Sequence, residues 1–140
     1  TDLKLRPPSS FYHTFIPGLD GGKMSKSRPD SVIDLTESEK SAVKKMKAAL
    51  TGGRDTVEEQ KKLGGQPDKC MIFSMLKYHL VEDDKELLKW KEECESGSLS
   101  CGDCKMRSIK LLTEFLKDHQ KKREEAKNKL GEFGVKLGDR

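Results

Sequence analysis

From Thr36 onward, capping residues and glycine pairs cut this chain into short helices, and that punctuation restricts the fold more than any other feature. Thr36 with Glu39 fits a capping box and opens a helix through about Leu50, which Gly52-Gly53 ends. Asp55 with Glu58 forms a second box, for a short helix closed by Gly64-Gly65. Pro67 suits a first helical turn, and Met71, Met75, Leu76 and His79 share a face through Leu80. Asp83 or Asp84 caps a fourth helix with Leu87, Leu88, Trp90 and Cys94 ahead of Gly97. A fifth begins near Ser100 and runs to about Leu130; its stripe of Ile109, Leu112, Phe115 and Leu116 fades past Lys117. Apolar residues make up 33% of the chain and charged residues 37%, against about 25% charged in an average soluble protein. Five helices with so few apolar residues must share one thin core.

Residues 1–35 read differently. Leu5, Arg6, Pro7, Pro8, Ser9 and Ser10 make a turn-rich entry, and residues 11–16 have the aromatic and β-branched content of a strand. A glycine-rich loop follows at residues 17–22, and residues 31–35 form a second short extended piece. The expected architecture is mainly α: the end of an α/β domain over 1–35, connecting helices over 36–65, and a helical domain over 66–140. No apolar run nears the roughly 18 residues of a membrane span, and residues 1–8 lack the apolar stretch of a secretory leader. The expectation is a soluble, cytoplasmic-type protein, and its opening on Thr1 reads as a piece of a longer chain.

Three groups of residues carry chemistry. Lys23-Met24-Ser25-Lys26-Ser27 puts two cations and two hydroxyls on a mobile loop. Such groups suit a triphosphate, whose oxygens gather charge during nucleotidyl transfer; a basic surface loop is the plainer reading. Residues 105–130 hold nine basic residues against four acidic ones, within a chain of net charge +4. Nucleic acid or another acidic partner is one reading of that excess, and a solvated helix face the plainer one. Finally, Cys70, Cys94, Cys101 and Cys104 give the spacing C-x23-C-x6-C-x2-C. Cys101 and Cys104 fall on one face of the first turn of the fifth helix, where the helix terminus favours thiolate. Cys70 lies in the first turn of its own helix and Cys94 near the end of another, so three helix ends can meet at one site. Zinc and an iron–sulfur cluster both fit four thiolates; half-buried cysteines or two disulfides are the competing readings. Trp90, Met71 and Met75 read as core, and His119 as a surface residue. No catalytic triad or paired carboxylate is present.

The pentapeptide at residues 23–27 is identical to the second signature of class I aminoacyl-tRNA synthetases. Phe15-Ile16-Pro17-Gly18-Leu19-Asp20-Gly21-Gly22 before it resembles the archaeal and eukaryotic branch of the tryptophanyl and tyrosyl enzymes. Residues 31–36, 51–60 with Gly64-Gly65, 96–105 and 114–123 are similar to tryptophanyl-tRNA synthetases. That resemblance implies ATP-dependent activation of tryptophan, with Mg2+, and its transfer to tRNA(Trp). It implies a Rossmann-type catalytic domain followed by a helical anticodon-binding domain, in a full-length homodimer. If the helical unit reads an anticodon, Lys105, Arg107, Lys110, Lys121, Lys122 and Arg123 are the candidates for contact with tRNA phosphates. Lys26, with Lys23 assisting, would bind ATP phosphates, and Met24, Ser25 and Ser27 would line the same loop. The cysteine spacing resembles that of relatives with a [4Fe-4S] cluster, zinc being the alternative. The first gap here is one residue longer, which turns a rigid helix by about 100°. The family's His-x-Gly-His signature is missing, because His13, His79 and His119 have no such neighbours. This chain alone is therefore expected to be inactive. The competing identities are the same region of a tyrosyl enzyme, a free-standing metal-stapled RNA-binding module, and an interaction scaffold built on the last helix.

Overall fold

A computed structural model describes residues 9–133; the turn expected around residues 5–8 lies outside them. The fold is mainly α, with five α-helices in the expected order and boundaries that differ in detail. Helix α1 spans Glu39–Ala48, and its N-cap is Ser38, whose hydroxyl accepts from the Ser41 amide at 3.3 Å. Thr36, the expected cap, is instead tied to the Asp34 carboxylate through its amide at 2.8 Å and through its hydroxyl. Those two bonds hold the Asp34 carboxyl below its ordinary pKa. Helix α2, Val57–Leu63, is capped by Thr56, one residue later than expected. The Thr56 hydroxyl accepts from the Glu59 amide at 3.1 Å.

The single helix expected from Pro67 to Leu80 divides into three pieces. Pro67–Lys69 is one 3-10 turn, α3 spans Met71–Met75 with Cys70 as its N-cap, and Leu76–Leu80 is a π turn. A tertiary bond accounts for the first break. The Met71 amide donates to the Leu50 carbonyl at 3.1 Å, so it cannot continue a helix from Pro67. The π turn closes when the Val81 amide reaches the Leu76 carbonyl at 3.0 Å. Helix α4, Asp84–Glu95, is capped by Asp83, and α5, Cys101–Lys129, by Ser100.

Neither extended piece of the first 35 residues becomes a strand: no strand occurs among the described residues, and one isolated bridge joins Ser25 to Arg28. Strand ladders need a neighbouring chain segment to take their amides and carbonyls, and among the described residues no segment pairs its backbone with residues 11–16. Phe11 and Tyr12 are consequently more than 90% exposed.

The core is as thin as composition requires. Ala42 and Met46 of α1, Ile72 and Phe73 of α3, Leu76, Trp90 of α4, and Ile109, Leu112 and Leu116 of α5 are buried together. Leu19 joins them from the N-terminal segment, fastened by the Leu19 amide to Ser31 at 2.9 Å and the Leu50 amide to Leu19 at 2.8 Å. Two polar ties strengthen that junction. Lys45 Nζ donates to Glu37 at 2.6 Å and to the Val32 carbonyl at 2.8 Å. Gln120 of α5 donates to the carbonyls of Leu35 at 3.1 Å and Glu37 at 3.0 Å. The lysine loop is thus anchored to the helical body from both sides of the chain turn.

Candidate functional site

Arg28 organises the lysine loop. Its guanidinium pairs with the Asp20 carboxylate and donates to the Lys23 carbonyl. Asp20 also accepts from the Gly22 amide at 3.0 Å. Beneath the loop, the buried Ser31 hydroxyl donates to the Arg28 carbonyl at 2.7 Å and accepts from the Ser25 amide at 3.4 Å. The hydroxyls of Ser25 and Ser27 meet at 2.8 Å. With Arg28 bound to Asp20, the positive charge left to solvent belongs to Lys23 and Lys26. Both are exposed, and neither has a carboxylate partner among the described residues. A fixed loop with two free ammonium groups and neighbouring hydroxyls can neutralise phosphate oxygens. The sequence reading passed over Arg28, Asp20 and Ser31; an Asp and an Arg flanking the glycine turn were their only signal. Met24 lines an apolar groove of about 550 Å³ together with Ile33, Met75, Tyr78 and Phe115.

The four cysteines are free thiols gathered from three helix ends: Cys70 at the α3 cap, Cys94 in the last turn of α4, Cys101 and Cys104 in the first turn of α5. Burial pushes the Cys94 thiol up to about 11, with Cys70, Cys101 and Glu95 adding to it. Burial likewise pushes Cys104 to about 12, reinforced by Cys70, Cys94 and Cys101 against a lowering bond from Ser108. Cys104 is thus near enough to feel the charge of each of the other three sulfurs. As they stand, however, no three His, Cys, Asp or Glu side chains among the described residues are arranged to hold a metal ion.

The segment around α2 forms one wall of this thiol pocket. A Cβ on Gly53 would lie 2.7 Å from Cys101 Sγ, and one on Gly65 would lie 2.7 Å from Cys94 Sγ. Gly64 has φ +69°, and a Cβ there would stand 1.7 Å from the Glu95 carbonyl oxygen. Only glycine lets α2 approach the end of α4 so closely. Between Gly53 and Gly65 sits Gln60, buried, with its Oε1 accepting from the Arg54 amide at 3.0 Å.

The basic candidates of α5 do not form one patch. Lys105 turns inward and donates to the carbonyls of Lys47 at 2.7 Å and Ala49 at 2.8 Å, satisfying the open end of α1. Arg107 pairs with Glu93 at 2.8 Å and lies over the ring of Trp90, 5.6 Å from its centroid. Trp90 itself is buried, as expected. Lys122 pairs with Asp118 at 2.7 Å, which raises its pKa, and Arg123 pairs with Glu124 at 3.1 Å. Lys110 and Lys121 are exposed and have no carboxylate partner among the described residues. They stand eleven residues apart, about three turns, on one outward face. His119 is half-buried and stacks on Phe115 at 6.1 Å.

Known proteins resemble this chain in sequence and in fold. The tryptophan–tRNA ligase of Methanosarcina acetivorans is 53% identical over 129 residues, which are 92% of this chain and 30% of that protein. The ligase of Methanocaldococcus jannaschii is 49% identical over 136 residues, covering 97% of this chain and 36% of its own. Among solved structures, the tryptophanyl-tRNA synthetase of Aeropyrum pernix superimposes with a TM-score of 0.81 at 48% identity, covering 84% of this chain and 32% of that one. The chain therefore spans about a third of the length of the curated relatives it matches. A family model described as tRNA synthetases class I (W and Y) matches residues 1–117, and the chain, with its lysine loop and helical body, belongs to that family.

Proposed function

We propose that the protein to which this chain belongs activates tryptophan with ATP and transfers it to tRNA(Trp). This chain would supply the phosphate-binding loop and the helical anticodon-binding unit. The observation that carries the reading is the pair of unneutralised lysines on a loop braced by Arg28 and Asp20. The printed names of the relatives support it. Lys26 and Lys23 would meet the charge that grows on the triphosphate, Mg2+ accompanying the ATP, while Ser25 and Ser27 present hydroxyls beside them. The remaining positioning groups for tryptophan and adenosine belong to the part of the longer relatives that this chain does not cover. Residues 11–16, which belong to no helix or strand here, would find strand neighbours in that part. The test is tryptophan-dependent ATP–pyrophosphate exchange. The intact protein should catalyse it and residues 1–140 alone should not, because proximity and orientation come from groups outside them. Exchange driven by another amino acid would refute the assignment.

The cysteines we read as ligands of a [4Fe-4S] cluster. Three features support the fit: Cys104 within reach of the charge of the other three thiols, the space kept by Gly53 and Gly65, and a buried amide beside them with a free donor. Both a cluster and a single zinc take four thiolates, and the cysteine spacing, which resembles that of cluster-bearing relatives, favours the cluster. Bound there, it would fasten the ends of α3, α4 and α5 to one another. Iron and sulfide near four each per chain in anaerobically prepared protein is the expected result; one colourless zinc would support the alternative.

A further inference from the structure

Gln60 is 6% exposed, and its Nε2 is a buried donor without any acceptor in the protein. Buried amides are nearly always paired, so this one calls for a partner. Its orientation is fixed. Oε1 accepts from the Arg54 amide at 3.0 Å, and turning the side-chain amide over would set two donors against each other. Nε2 must therefore point the other way, toward Gly65 and Cys94. A Cβ on Gly65 would stand 2.8 Å from Nε2 and 2.7 Å from Cys94 Sγ, so nitrogen and sulfur lie within about 5.5 Å of each other. Gly65 also donates its amide to the Cys94 carbonyl at 2.8 Å, which locks the two segments together. A neutral thiol is a weak acceptor. A metal-ligating thiolate carries negative charge and accepts strongly.

We propose that Gln60 is a positioning residue of the four-cysteine site, donating an N–H···S hydrogen bond from Nε2 to the sulfur of Cys94 when that cysteine is ligated. This inference rests on the four-cysteine reading above. The bond satisfies the orphaned donor, orients one ligand, and withdraws charge from its sulfur, which favours the more negative, reduced cluster. Gly53 and Gly65 leave the room that the amide needs, since a methyl at Gly65 would strike both Nε2 and Cys94 Sγ.

The experiment uses intact protein loaded with iron and sulfide under anaerobic conditions, comparing wild type with Gln60→Met and Gln60→Glu. Gln60→Glu keeps the acceptor for Arg54 and loses the donor, so it reports on the N–H···S bond even if Gln60→Met fails to fold. Both variants should release iron to a chelator about 10- to 100-fold faster, the usual effect of losing a supporting partner. Their midpoint potentials should lie below that of wild type. Iron-loaded wild type with variants of unchanged release rate and potential would overturn the role of Gln60 and leave the cysteine reading standing. Wild type that takes up no iron would overturn both.

Discussion

Lys45 and Glu37 form an ion pair whose side chains are only 12% and 13% exposed, and Glu37 Oε1 already lacks a partner. Lys45→Met would strand that carboxylate in the interior and should cost about 3–5 kcal/mol, read as a lower urea midpoint. Replacing Glu37 by Leu in the same protein should restore much of the loss; no restoration would deny the pair its part at the junction. The cysteines give a second prediction at this scale. In metal-free, reduced protein the thiols of Cys94 and Cys104 titrate near 11 and 12, above the ordinary value of about 8.5. A raised thiol pKa means less thiolate at pH 8, so both should be alkylated more slowly than in urea-denatured protein. The same sign applies to stability. The unfolded chain ionises its thiols first, so the metal-free fold should weaken from about pH 9 upward. Equal alkylation rates at Cys94, folded and unfolded, would show that its burial is not maintained.

Gly97 joins α4 to α5 with φ +73°, and a Cβ there would lie 2.3 Å from the Gln60 carbonyl oxygen. Gly97→Ala should therefore cost more than the roughly 1 kcal/mol of an ordinary left-handed site, and an unchanged melting temperature would contradict the close packing of α2 on this turn. Elements were the most legible level of the sequence. Five helices, their order and the caps Asp83 and Ser100 follow from residues whose hydrogen bonds are local. What misled was competition between near neighbours and distant partners. Ser38 took the cap that Thr36 promised because Asp34 engages Thr36. Met71 broke the third helix because Leu50, far along the chain, accepts its amide. The loop pentapeptide was readable as chemistry, but its brace was not, since Arg28 and Asp20 meet only after the glycine turn folds. Likewise Lys105 counted as a surface cation until the carbonyls ending α1 claimed it.

Over the whole molecule, the helical body closes on itself while the N-terminal side stays apolar and open. Phe11, Tyr12 and Phe15 are exposed, and the groove between Met24, Met75, Tyr78 and Phe115 runs beneath the lysine loop. No helix among the described residues is long and apolar enough to cross a membrane. Along α5, Lys110 and Lys121 are exposed and without carboxylate partners among the described residues, whereas Arg107, Lys122 and Arg123 would first have to leave their acids to meet phosphates. Reversing both Lys110 and Lys121 to Glu should weaken tRNA binding and flatten its salt dependence by about two charges; an unchanged slope would remove α5 from the interface. The central claim is that the loop at residues 23–27 serves ATP in a tryptophan-activating enzyme, and its most direct test is the steady-state kinetics of Lys26→Ala in the intact protein. Exchange of pyrophosphate should lose about 100- to 1,000-fold in kcat, as when one preorganised donor to a developing charge is removed, while KM for tryptophan changes little. An unchanged kcat in Lys26→Ala and in Lys23→Ala alike would contradict the account.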